Sequence, residues 1–90
     1  MRITCDPAKR ETTLRERGLD FMQAERVFAG RTLTLKDDRR DYGETRFQTY
    51  GVLDGRVVMV VWTPREDVRH VISMRHCHDR EAQKIRRRLG

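Results

Sequence analysis

Phe47-Gln48-Thr49-Tyr50-Gly51-Val52-Leu53-Asp54-Gly55-Arg56-Val57-Val58-Met59-Val60-Val61-Trp62 is the stretch on which the fold turns. Phe47, Thr49, Gly51 and Leu53 alternate with Arg46, Gln48, Tyr50 and Val52, the period of a strand. Asp54-Gly55 is among the strongest short-range signals for a two-residue hairpin turn. Arg56 to Trp62 is apolar on both faces and so reads as a central strand, covered at least in part on both. A run this apolar and this β-prone also excludes a disordered chain.

Working outward, Thr63 to Asp67 reads as a second tight connection, leading into a strand over Val68 to Arg75. On the other side, Thr32 to Leu35 is a short strand followed by a charged loop from Lys36 to Tyr42. The chain opens with a short strand, Arg2 to Cys5. Asp6-Pro7 then supplies a helix cap and a proline at the first helical position, where its missing N–H does no harm. That helix runs to about Arg17 and stops at Gly18. Asp20 with Gln23 signals a second cap, Phe21, Ala24, Val27 and Phe28 form one apolar stripe, and Gly30 ends the element. A final helix from His78 or Asp79 to Leu89 carries Ala82, Ile85 and Leu89 on one face. The order β-α-α-β-β-β-β-α predicts an α+β fold. In it an antiparallel sheet of four to five strands is packed by two N-terminal helices and one C-terminal helix. Ninety residues without a repeat or linker make a single domain, 1–90.

Charged residues are 38% of the chain against 37% hydrophobic, so the core is compact and the surface almost wholly charged. The net charge is +6, and 17 of the 20 basic residues are Arg, whose planar fork of donors matches phosphate geometry. From Arg75 to the end, six basic residues face only Asp79 and Glu81, which concentrates +4 there. That is the footprint of a polyanion-binding face, and a merely well-solvated surface is the plain alternative. Cys5 and Cys77 are too few for a disulfide scaffold, no signal peptide opens the chain, and no segment is apolar enough to span a membrane. A cytoplasmic protein with reduced thiols is the expectation.

Several strings resemble the BrnT family of bacterial type II toxins. They are Asp6-Pro7-Ala8-Lys9, Gly18-Leu19-Asp20-Phe21 with Ala24, and Asp38-Arg39-Arg40-Asp41-Tyr42-Gly43-Glu44-Thr45-Arg46. Gly51 to Arg56, Val61-Trp62-Thr63-Pro64-Arg65, Val71 to Arg75 and Glu81 continue the likeness in order. The resemblance implies a RelE-like fold and a cytoplasmic endoribonuclease that slows translation. It also implies neutralisation by a BrnA-type antitoxin in a heterotetramer, the antitoxin's ribbon-helix-helix domain binding operator DNA. The chain departs from the family pattern at Glu16-Arg17, at Cys77-His78 and in the tail Lys84-Ile85-Arg86-Arg87-Arg88.

RNA cleavage through the ribose 2′-hydroxyl needs a proton acceptor, stabilisation of the phosphorane charge and protonation of the leaving 5′-oxygen. Arginines answer the second need, and the resemblance points to Arg65 and Arg75. Strand order sets these two at opposite ends of one hairpin, while alternation predicts Arg69, Val71, Ser73 and Arg75 on one continuous basic face. Arg80 and Glu81 open the last helix and complete the candidate catalytic set, Glu81 being general base, orienter of an arginine, or simply favoured by the helix dipole. Arg69, His76, Lys84, Arg86 and Arg87 are the expected RNA contacts, with Tyr42 as a stacking platform and Trp62 as core. His76-Cys77-His78-Asp79 invites a zinc reading, but adjacent side chains diverge and no second ligand pair follows, so neither metal nor cofactor is expected. The competing reading is a non-catalytic basic module, a degenerate toxin that binds nucleic acid or a protein partner and cuts nothing.

Overall fold

The computed structural model describes Met1–Gly90. Its elements are β1 (Arg2–Cys5), α1 (Pro7–Arg17), a 3-10 turn (Phe21–Gln23), α2 (Ala24–Ala29), β2 (Leu33–Lys36), β3 (Phe47–Leu53), β4 (Arg56–Arg65), β5 (Val68–His76) and α3 (Asp79–Leu89). The α+β order matches the sequence reading. The five-stranded sheet runs β1-β5-β4-β3-β2 and is mixed, which corrects the expectation of an all-antiparallel one. β2 to β5 are antiparallel to their neighbours, but β1 pairs parallel with β5, Arg2 opposite Val68 and Cys5 opposite Val71. Tight turns dictate antiparallel pairing only for the strands they join. β1 reaches the sheet edge with the rest of the chain between it and β5, which leaves its direction free.

Local chemistry explains the element ends. Asp6 accepts from the Ala8 N–H and Pro7 starts α1, which closes on the Gly18 N–H donating to Leu14. Asp20 caps the 3-10 turn through the Met22 N–H. The Gln23 N–H bonds the Asp20 carbonyl, so backbone closes that cap from the far side. Asp54 and Gly55 both have left-handed backbone, φ 50° and 81°, and join Leu53 to Arg56 as a two-residue hairpin. The second hairpin is tighter than expected: β4 continues through Pro64 to Arg65, and only Glu66-Asp67 turns. Pro64 is tolerated because pairing of β4 to β3 ends at Phe47 opposite Trp62, so its missing N–H breaks no ladder bond on that side.

The sheet carries a layer on each face. One core cluster joins Leu19, Phe21, Ala24 and Val27 to Val58, Val60, Trp62, Val71 and Met74. Gly51 lets α2 approach closely, since a Cβ there would lie 2.7 Å from Val27 Cγ1. Trp62 packs edge-on to Phe28 and donates its indole N–H to Thr49, which in turn bonds Thr34 across β2. Under α3 lies a smaller cluster of Tyr50, Val57, Met59, Val61, Cys77 and Ile85. The two sets of valines alternate along β4, which is why that strand is apolar on both sides. No helix is long and apolar enough to cross a membrane.

A β-bulge decides which side chains share a face. Val61 pairs with Ser73 but Trp62 pairs with Val71, so Ile72 is an extra residue in β5 and the alternation slips there. Arg69 and Val71 therefore point to the α2 face, while Ser73 and Arg75 point to the α3 face. The continuous basic face expected through Arg69 and Arg75 does not exist.

Candidate active site

The α3 face is the one with exposed chemistry. α3 starts on His78, whose Nδ1 accepts from the Glu81 N–H, and its apolar side seats Ile85, Ala82 and Leu89 over the second cluster. This brings Glu81 onto Arg75, opposite Met59 on β5. Arg75 donates from both Nη atoms to both carboxylate oxygens, at 2.8 and 3.0 Å. The Arg75 guanidinium, with a bond from the Cys77 thiol, holds the Glu81 carboxyl down at about 2, against the partial burial that raises it. Burial and the Glu81 carboxylate push the Cys77 thiol up to about 12. The Tyr50 phenol stands in the same corner, pushed up by burial and then by the charge of Glu81. Glu81 is thus an orienter of Arg75 and a weak proton acceptor.

The far end of the same face is built by the loop between β2 and β3. Asp37 is buried and holds Arg39 at 2.7 and 2.8 Å, which keeps its carboxyl at about 2. The Tyr42 hydroxyl reaches toward Asp37 at 3.4 Å, and the Arg46 guanidinium lies 4.1 Å over the Tyr42 ring. Glu44 bridges Arg46 at 3.4 Å and Arg65 at 3.8 Å. Thr63 donates to the Thr45 carbonyl at 2.6 Å and ties this loop to β4. His70 sits opposite Thr63 on β5 and meets Thr4 of β1, Oγ1 to Nδ1 at 2.9 Å. Burial, then the charge of Arg65, lowers its imidazole from the ordinary 6.5.

The residues singled out from the sequence fall into three groups. Arg75 with Glu81, and Arg65 with Tyr42, occupy the two ends of the α3 face. The register sets those ends about 20 Å apart along β5. Arg69 lies on the opposite face, its guanidinium 4.0 Å over Phe28 and 5.2 Å from Trp62. His76 joins it there opposite Val58, with Nε2 buried and without a partner. His76, Cys77 and His78 consequently point in three directions. Arg80, Lys84 and Arg87 are exposed on α3, whereas Arg86 donates to the Gly55 carbonyl at 2.7 Å and pins the helix to the first hairpin.

Sequence reasoning missed Tyr50, Asp37, Arg39 and His70. Tyr50 was legible in principle, since alternation puts it beside Gln48 and away from Phe47. Asp37 carried no signal, because an acid among Asp38, Arg39 and Arg40 looks like any solvated loop charge.

A family model for the ribonuclease toxin, BrnT, of type II toxin-antitoxin systems matches residues 5–81. The chain belongs to the BrnT toxin family. The matched span takes in both ends of the α3 face and stops at Glu81, so the basic tail of α3 lies beyond it. For a BrnT chain the family implies an RNA substrate and an antitoxin partner. A search of curated proteins found no match to the chain.

Proposed function

We propose that this BrnT chain is the endoribonuclease toxin of its module, cutting RNA in the cytoplasm without a metal ion and so slowing translation. One observation carries the reading. Arg65 and Arg75 lie on the same face of the sheet, each held by a carboxylate, with polar Gln48, Thr63 and Ser73 between them. An RNA strand laid along that face meets a guanidinium at each end. The 2′-oxygen attacks the adjacent phosphorus, the bond to the 5′-oxygen breaks, and an arginine neutralises the charge that builds on the non-bridging oxygens. At about 20 Å apart, Arg65 and Arg75 serve different phosphates, so one acts at the cut and the other grips the strand. Tyr42, in the loop that brings Glu44 to Arg65 and with Arg46 4.1 Å over its ring, is the expected base contact. The toxin would be neutralised by a BrnA-type ribbon-helix-helix antitoxin in a heterotetramer, which brings operator DNA to the complex.

Cleavage of a naked RNA oligonucleotide in vitro tests this. Replacing the arginine at the cut by Ala lowers kcat by about 10²–10³. Replacing the gripping one weakens binding and reduces the salt slope of log K by about 1. Salt-sensitive binding with no scission by the wild type overturns the reading in favour of a non-catalytic, degenerate toxin.

A further inference from the structure

The reaction needs a proton acceptor, and few groups on the α3 face qualify. Glu81 is locked to Arg75, and Glu44 is shared between Arg46 and Arg65. Tyr50 and Cys77 are buried and hold their protons. Among the three histidines, His76 faces the opposite layer and His78 has its Nδ1 on the Glu81 N–H. His70 is different. Its Nδ1 is fixed by Thr4 at 2.9 Å, while its Nε2 makes no bond and is not among the buried unpartnered atoms.

We infer that His70 is the general base of this ribonuclease, its Nε2 taking the 2′-hydroxyl proton at a phosphate held by Arg65. The inference rests on the ribonuclease reading and deepens it by assigning the cut to the hairpin end of the face. Arg65 is two residues beyond Thr63, the cross-strand partner of His70, and so is its diagonal neighbour on the same face. Diagonal pairs lie about 7–8 Å apart, within reach of a long side chain and close enough to share one phosphodiester. Arg75, by contrast, is about 15 Å farther along β5. Availability points the same way: Arg65 holds Glu44 loosely at 3.8 Å with half its side chain exposed, whereas both Nη atoms of Arg75 are taken.

The base requires one of the two tautomers that the Thr4 contact accommodates. With Nδ1–H donating to Thr4 Oγ1, Nε2 is left with its lone pair toward the face. The charged groups around the ring are Arg65 and Lys9, which lower its proton affinity, and Glu44 and Asp6, which raise it. Burial and Arg65 prevail, so the imidazole is neutral at pH 7. It gains the 2′-hydroxyl proton as the new O–P bond forms. The 5′-oxygen departs with a proton from water, leaving a 2′,3′-cyclic phosphate and a 5′-hydroxyl, and the imidazolium returns its proton to solvent.

The test is the pH profile of cleavage of a fluorescent RNA oligonucleotide by the full chain. The wild type is expected to show an acidic limb below pH 6.5. His70→Ala is expected to lose about 10²–10⁴-fold in kcat/KM, to lose that limb, to keep its RNA affinity and to recover activity with added imidazole. Arg75→Ala keeps the limb. Full cleavage with an intact limb in His70→Ala overturns the inference and leaves the ribonuclease reading standing. A wild type that binds but never cuts overturns both. If His70→Ala does not fold, Thr4→Val serves instead. Loss of the Nδ1 partner moves the limb to lower pH, and an unmoved limb overturns the inference.

Discussion

The two faces of the sheet hold arginines of opposite character. On the α2 face the Arg69 guanidinium sits over Phe28 and near Trp62, part of a wall in which Phe21, Val58, Val60 and Met74 are fully buried. On the α3 face Arg65 and Arg75 are paired with Glu44 and Glu81, and their guanidinium edges are partly open to solvent. The same residue type is packing on one side and, in the proposed reaction, chemistry on the other. Burial and partners, not residue identity, separate the roles. One face is held mainly by apolar contact and the other in good part by ion pairs, and that difference can be tested.

The largest expected effect is on the packed face. Phe21→Ala is expected to destabilise the chain by about 3–5 kcal/mol in denaturant unfolding, from lost burial and the cavity left behind. If the faces are as distinct as described, the folded fraction of that variant still cleaves RNA with wild-type kcat. A fall in kcat would join the two faces after all.

Acid separates the faces next. Glu81 and Asp37 both titrate at about 2, below their ordinary 4.5 and 3.8. Carboxyls depressed in the folded state add stability that is present above their unfolded values and is lost as pH falls through the folded ones. From about pH 5 down to about 2, amides of α3 and of the 37–46 loop are therefore expected to lose hydrogen-exchange protection before those of α2 and the centre of β4. Simultaneous loss everywhere would show that ion pairs do not hold the α3 face.

Arg69→Gln gives the smallest effect. A cation–π contact of this kind is worth about 0.5–2 kcal/mol, so a modest drop in Tm is expected with cleavage and RNA affinity unchanged. Weakened RNA binding would return Arg69 to the nucleic-acid surface where the sequence reading put it.

Much of this architecture was written in local sequence. Asp6-Pro7, Gly18 and Asp54-Gly55 act through their own backbone, and the two-faced valine run specifies a strand covered on both sides, so none needs a distant partner to be read. Arg65 and Arg75 were correctly set at opposite ends of one hairpin for the same reason. Three things only the tertiary structure decided. β1 runs parallel to β5 because no tight turn constrains it. Ile72 bulges, and one extra residue reverses which side chains share a face, separating Arg69 from Arg75. Asp37, Glu44 and His70 gain their settings from loop and edge contacts with Arg39, Arg65 and Thr4, residues distant in sequence or without a periodic signal. Period and punctuation are properties of neighbours along the chain. The pairing of a charge with its counter-charge, and the exposure left to it, belong to the folded surface.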